Sequence, residues 1–166
     1  MREPLKDRER LKHIINAIDI ILDRSQNLTY ESFTADKVLF GGIVYYTLII
    51  GEAAYNLTKV FKQKFPNTNW TDIERMRHNL VHGYYNVDPE IVWSVIKSDL
   101  NPLRQQVAHY LDETNWDEWE NNTVCIKESA VHKNLIQTAE RMKKRGYDTD
   151  EICKITGLGR DEIERL

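Results

Sequence analysis

The chain has 166 residues, of which 41% are apolar and 30% charged, with 7 glycines and 4 prolines. That balance suits one globular domain, or a domain with a small appendage, and excludes collagen-like, low-complexity and wholly disordered architectures. The net charge is -3, with 14 Lys/Arg against 15 Asp/Glu in residues 1–113 and 9 against 11 in residues 114–166. Neither part is basic enough to grip nucleic acid through bulk electrostatics, so any such role must rest on a few placed residues, on dimerisation or on a partner.

The N-terminal MREPLKDRER is charged and has no apolar run behind it, so the expectation is a cytosolic protein without a secretory signal. The first helix is predicted from Pro4 to Arg24, with an apolar stripe of Leu11, Ile14, Ile15, Ile18 and Leu22. Thr29 opens TYESFTAD, one or two helical turns. From Lys37 to Phe65 no proline intervenes and the apolar period stays near 3.6, which predicts one long central helix. Its longest uncharged run, Val38 to Gly51, has fourteen residues, short of the roughly 18 that a bilayer span needs, and reads as core. Gly41 and Gly42 lack a phosphate-loop context and are read as a point of close helix packing.

Thr71-Asp72-Ile73-Glu74 has the pattern of a capping box opening a helix that ends near Gly83, a residue suited to a left-handed turn. Asp88-Pro89-Glu90 opens another helix, running to about Glu113 with a kink at Pro102. Residues 113–128 are acidic, lack helical periodicity and are read as a linker. Ser129 to Arg145 is amphipathic and capped by Gly146, and two short helices follow, Asp148 to Ile155 and Arg160 to Leu166. The fold class is therefore all-α: an up-and-down bundle with a small helical tail. Cys125 and Cys153 have no CxxC companion and cannot form a disulfide framework or a thiolate zinc site alone. Trp70 and Trp93 are read as core or interface, while Trp116 and Trp119 could dock on the bundle or on a partner.

The chemistry concentrates in Arg75-Met76-Arg77-His78-Asn79-Leu80-Val81-His82-Gly83-Tyr84-Tyr85-Asn86. A guanidinium presents a forked cation suited to phosphate, and an imidazole can take and return a proton near neutral pH. Such a pair suffices to cleave RNA without metal: a base activates the ribose 2′-hydroxyl while the cation stabilises the crowded phosphorus. Arg77 and His82 are five residues apart, about 140° from a common helical face. They converge only if the helix loosens at Gly83 or a second copy of the chain faces this one. Arg and His at a helix end also serve as plain complements to the helix dipole.

R-H-N-L-V-H-G-Y resembles the R-x4-H-x-Y signature of the HepT-like family of HEPN ribonucleases. The likeness continues in KDRERLKHIINAIDIIL, in LIIGEAAYNLTKVFKQKFP and through NTNWTDIERMRHNLVHGYYNVDPEIVWSVIKSDL. It implies a HEPN-like helical bundle over residues 1–112; the 113–128 linker and the 129–166 tail lie beyond it. It further implies a metal-independent endoribonuclease toxin that needs no cofactor and works as a homodimer with a composite site. Arg77 and His82 would be the catalytic pair. His78 stands where the family usually has another polar residue and could supply a second proton carrier, which the resemblance does not require. Tyr84 falls on the motif tyrosine, to which a nucleotidyltransferase antitoxin would transfer AMP; Tyr85 is its neighbour. The alternative is a catalytically silent helical module that binds a nucleotide or a partner.

Glu52, inside an apolar run, either rotates to solvent or pairs with Arg77 or Arg75 and orients the guanidinium. His78 and His82 have the i, i+4 spacing of zinc ligands, but the HExxH glutamate is absent. The tail resembles helix-turn-helix-like C-terminal modules, beyond where most of the family ends. Its cluster Arg141, Lys143, Lys144 and Arg145 would either touch nucleic acid or form a solvated helix face.

Overall fold

The computed structural model describes residues 7–166, and for residues 122–130 the backbone alone. Among the described residues the regular structure is entirely helical, with ten α-helices and no strand. The chain divides into two compact units at Asn115 and Trp116.

In the first unit α1, Asp7–Ser25, buries Leu11, Ile14, Ala17, Ile18 and Ile21; the expected start at Pro4 lies outside the described residues. The short α2, Tyr30–Ala35, opens on a capping box in which Thr29 and Ser32 satisfy each other's backbone N–H. Asp36 then caps α3, Lys37–Asn56, by accepting from the N–H groups of Val38 and Leu39. This helix packs chiefly on α1 and on α5, the helix Trp70–His82.

The expected single helix from Lys37 to Phe65 is broken. Asp7, itself 3% exposed, accepts from the backbone N–H of Thr58 at 2.8 Å and from its hydroxyl at 2.6 Å. That N–H is thereby withdrawn from the α3 ladder. The Thr58 hydroxyl accepts from Phe61 N–H and starts a new helix, α4, Lys59–Lys64. The apolar period runs on across the break because α4 still buries Phe61. Burial along α3 is also uneven. Ile50, Gly51, Ala53 and Ala54 are buried, whereas Val38 is 86% and Tyr45 59% exposed. By length and composition α3 could cross a membrane, and about a third of that stretch is buried inside the protein. A Cβ on Gly41 or Gly42 would meet nothing within 4 Å, so the close packing expected there does not occur within the chain.

The capping box expected at Thr71 is displaced. Asn69 caps α5 by accepting from Asp72 N–H, and its amide meets the Asp72 carboxylate. Glu74 turns instead to Lys62, at 2.5 Å. The helix opening at Asp88 forms as expected, with Pro89 in its first turn: α6, Pro89–Ser94. A wide π-turn over Val95–Asp99 leads into α7, Leu100–Glu113. The irregularity thus falls just ahead of Pro102, whose ring cannot sit against the carbonyl of a regular preceding turn. Phe61, Phe65, Trp70 and Tyr110 form one aromatic cluster, with Phe65 stacked on Tyr110 at 4.2 Å. Trp93 stacks on buried Phe33 at 5.2 Å.

In the second unit the expected linker over residues 113–128 is largely helix. Helix α8 runs Trp116–Lys144 and takes in the start expected at Ser129. Asp117 and Glu118 lie in its first turn, where carboxylates favour a helix N-terminus. Trp116 is buried and Trp119 half-buried; the side chain of Cys125 lies outside the described residues. The left-handed Gly146 ends the helical run (φ 82°), and α9, Thr149–Thr156, ends on left-handed Gly157 (φ 71°). With α10, Arg160–Glu164, these helices enclose a small core of Ala139, Ile152, Leu158 and Ile163, against which the free Cys153 packs. Lys143 donates to the carbonyls of Ile163 and Glu164, so this member of the basic cluster ties α8 to the end of α10.

Candidate active site

Arg77 leaves α5 toward α3, where four residues of one stretch form its socket. Gly51 comes first: a Cβ there would lie 2.4 Å from the Cβ of Arg77, so only glycine lets the two helices approach this closely. One residue on, Glu52 Oε2 accepts from Arg77 Nε at 2.7 Å. The Tyr55 ring lies 5.1 Å from the guanidinium carbon, a cation–π distance. Asn56 donates to the other carboxylate oxygen, Oε1, at 2.8 Å and fixes the acid in turn. Holding Nε leaves the two terminal nitrogens, which have no hydrogen-bond partner among the described residues. A guanidinium can grip a phosphate through the edge that two such nitrogens form. The pair is partly solvated, with side chains 25% and 48% exposed, so its value is orientation more than stability.

The other side of α5 faces an open groove of about 940 Å3 between α5, the turn after it, and α6 and α7. His78 and His82 both line it, and both are exposed. Their ring centroids are 4.5 Å apart with the planes at 51°. Among the described residues no group of three or more His, Cys, Asp or Glu is placed to hold a metal ion. The helix does not loosen before Gly83, so Arg77 and His82 remain five positions apart on one continuous α-helix.

Residues 14–110 match the family described as Ribonuclease HepT-like. The chain belongs to the HepT-like ribonuclease family. Among its relatives, one of Caldanaerobacter subterraneus subsp. tengcongensis, named a putative RNase, is 34% identical over 106 residues, 64% of this chain and 95% of the relative. A protein of Thermococcus cleftensis named a probable ribonuclease HepT is 32% identical over 97 residues, 58% of this chain and 88% of the relative. A longer protein of Methanocaldococcus jannaschii, named a gamma-glutamylcyclotransferase and putative RNase, is 30% identical over 135 residues, 81% of this chain and 61% of the relative. No solved structure matches the chain.

In this HepT-like chain Glu52 meets both expectations, since it is exposed and yet pairs with Arg77; Arg75 pairs with Asp72 instead, at 2.9 Å. Gly83 ends α5 with φ -113°, outside the left-handed region expected for it. Glycine is required there for another reason: a Cβ would lie 2.9 Å from the carbonyl oxygen of Asn79, which accepts the Gly83 N–H at 2.7 Å. Tyr84 and Tyr85 follow in a single 3-10 turn, Tyr84–Asn86, and are 76% and 80% exposed. Gly51, Tyr55 and Asn56 are absent from the sequence reading. Their signal was the position of Gly51, Glu52, Tyr55 and Asn56 along one helical face, two of them polar in an apolar segment.

Proposed function

We propose that this HepT-like chain is a metal-independent endoribonuclease, the toxin of a cytosolic toxin–antitoxin pair, working as a homodimer with a composite site. Arg77 of one protomer stabilises the charge on phosphorus, and His82 of the other moves protons during 2′-hydroxyl attack, leaving a cyclic phosphate and a 5′-hydroxyl. The observation that carries this reading is the Arg77 socket: a guanidinium anchored through Nε by Glu52, with its forked end free of hydrogen bonds among the described residues, on the helix that bears an exposed His82. The 140° between the two on one helix is the reason for invoking a second copy.

An antitoxin nucleotidyltransferase silences the site by placing AMP on Tyr84, whose exposure suits it to modification. The added phosphate sets a negative charge beside the cation meant for RNA. The test is incubation of the purified chain with structured RNA in EDTA. Cleavage by wild type and none by His82→Ala supports the enzyme; equal inertness of both supports a silent binding module. Mass spectrometry after co-expression with a neighbouring nucleotidyltransferase should show adenylate on Tyr84, and an unmodified Tyr84 would rule out that mode of inhibition.

A further inference from the structure

Among the described residues, His109 pairs with Glu113 at 3.1 Å and His132 with Glu162 at 2.8 Å. Within the same set, His78 and His82 meet no carboxylate and contact each other, on a groove large enough to hold a nucleotide. Two exposed imidazoles at i and i+4 thus face one solvent-filled space, each with a nitrogen available to exchange protons. We propose that His78 and His82 of the same protomer divide the two proton transfers of cleavage, one acting as base and the other as acid. This rests on the ribonuclease reading above.

The reaction has two proton transfers to serve. As the 2′-oxygen bonds to phosphorus, its proton must leave; as the bond from phosphorus to the 5′-oxygen breaks, that oxygen must gain one. The oxygens enter and depart on opposite sides of the phosphorus, so a single ring would have to swing between them within one event. Two rings on one groove, their centroids 4.5 Å apart, allow one to be assigned to each end. One neutral imidazole takes the 2′-hydroxyl proton, and one protonated imidazole gives its proton to the leaving 5′-oxygen. The products are a 2′,3′-cyclic phosphate and a 5′-hydroxyl, with the protonation of the two rings exchanged. Solvent reaches both exposed rings and resets them.

The test uses a short RNA containing a linkage that the wild-type protein cuts, made with either oxygen or sulfur as the 5′ leaving atom. Sulfur departs without a proton, so it removes the need for the acid and leaves the need for the base. His78→Asn and His82→Asn should each slow cleavage of the oxygen substrate by about 10²–10⁴-fold. On the sulfur substrate one of the two variants, and not both, should return to near the wild-type rate; the one rescued is the acid. His78→Phe keeps a ring beside His82 and carries no proton, so it should be as slow as His78→Asn on the oxygen substrate. Full activity of either His78 variant, or equal loss on both substrates for both histidines, would overturn the division of labour while leaving the nuclease intact. A wild-type protein that cuts no RNA, so that no such linkage is found, would instead sink the ribonuclease reading itself.

Discussion

Arg77 and His82 leave one helix on different sides, and their surroundings differ in kind. The arginine is fixed by Gly51, Glu52 and Tyr55, with Asn56 bracing the carboxylate. The histidine stands in an open groove with a second imidazole as its neighbour. A cation that must meet phosphate edge-on gains from being held in one orientation, because disorder there is lost catalytic geometry. A proton carrier must reach solvent to be recharged, and burial would hinder it. The two sides of α5 therefore suit two different tasks.

Several substitutions would break that contrast or sharpen it. His82→Ala should lower RNA cleavage by about 10²–10⁴-fold and leave the melting temperature unchanged, since the side chain is exposed. A melting temperature that fell with the activity would show the histidine to be structural. Arg77→Ala should cost about 10²–10³-fold, and Arg77→Lys should recover little, because an ammonium cannot reproduce the fork. Gly51→Ala forces the two helices apart. It should destabilise the fold by about 1–3 kcal/mol in denaturant unfolding and impair cleavage together with it. Wild-type stability in that variant would mean that the socket is loosely packed.

Glu52→Gln keeps a hydrogen-bond acceptor and removes the charge. Its effect on cleavage should reach at most about 10²-fold, with under about 1 kcal/mol of stability lost, as expected for a partly solvated pair. The smallest effect belongs to Tyr84→Phe, which should cleave RNA as wild type does and, under the proposed mode of inhibition, carry no adenylate after co-expression with a nucleotidyltransferase. A loss of cleavage in this variant would place the hydroxyl in the chemistry instead.

Much of this was legible from residue order, and the exceptions have physical causes. The helix opening at Asp88-Pro89, the cap at Gly146 and the short α2 all follow from local rules, since the groups that decide them lie within a few residues. The break between α3 and α4 depends on Asp7, 51 residues from Thr58, and no local pattern reveals a carboxylate that distant. The start of α5 was misplaced because Asn69 and Thr71 are both good capping residues and only packing selects between them. Helix α8 takes in residues 116–128 of the expected linker, an acidic segment without an apolar stripe that carries no amphipathic signal. At the site, the pairing of Glu52 with an arginine could be anticipated but not which one. Asp72, three residues before Arg75, had already engaged that alternative.

The composite arrangement can be tested by mixing two inactive proteins. Arg77→Ala and His82→Ala homodimers should each fail to cut RNA. After subunit exchange, half of the dimers are mixed, and each of these rebuilds one intact site of its two, so about a quarter of wild-type activity should return. A mixture that remains as inert as its components, with exchange confirmed, would place Arg77 and His82 in one protomer's site and contradict the account.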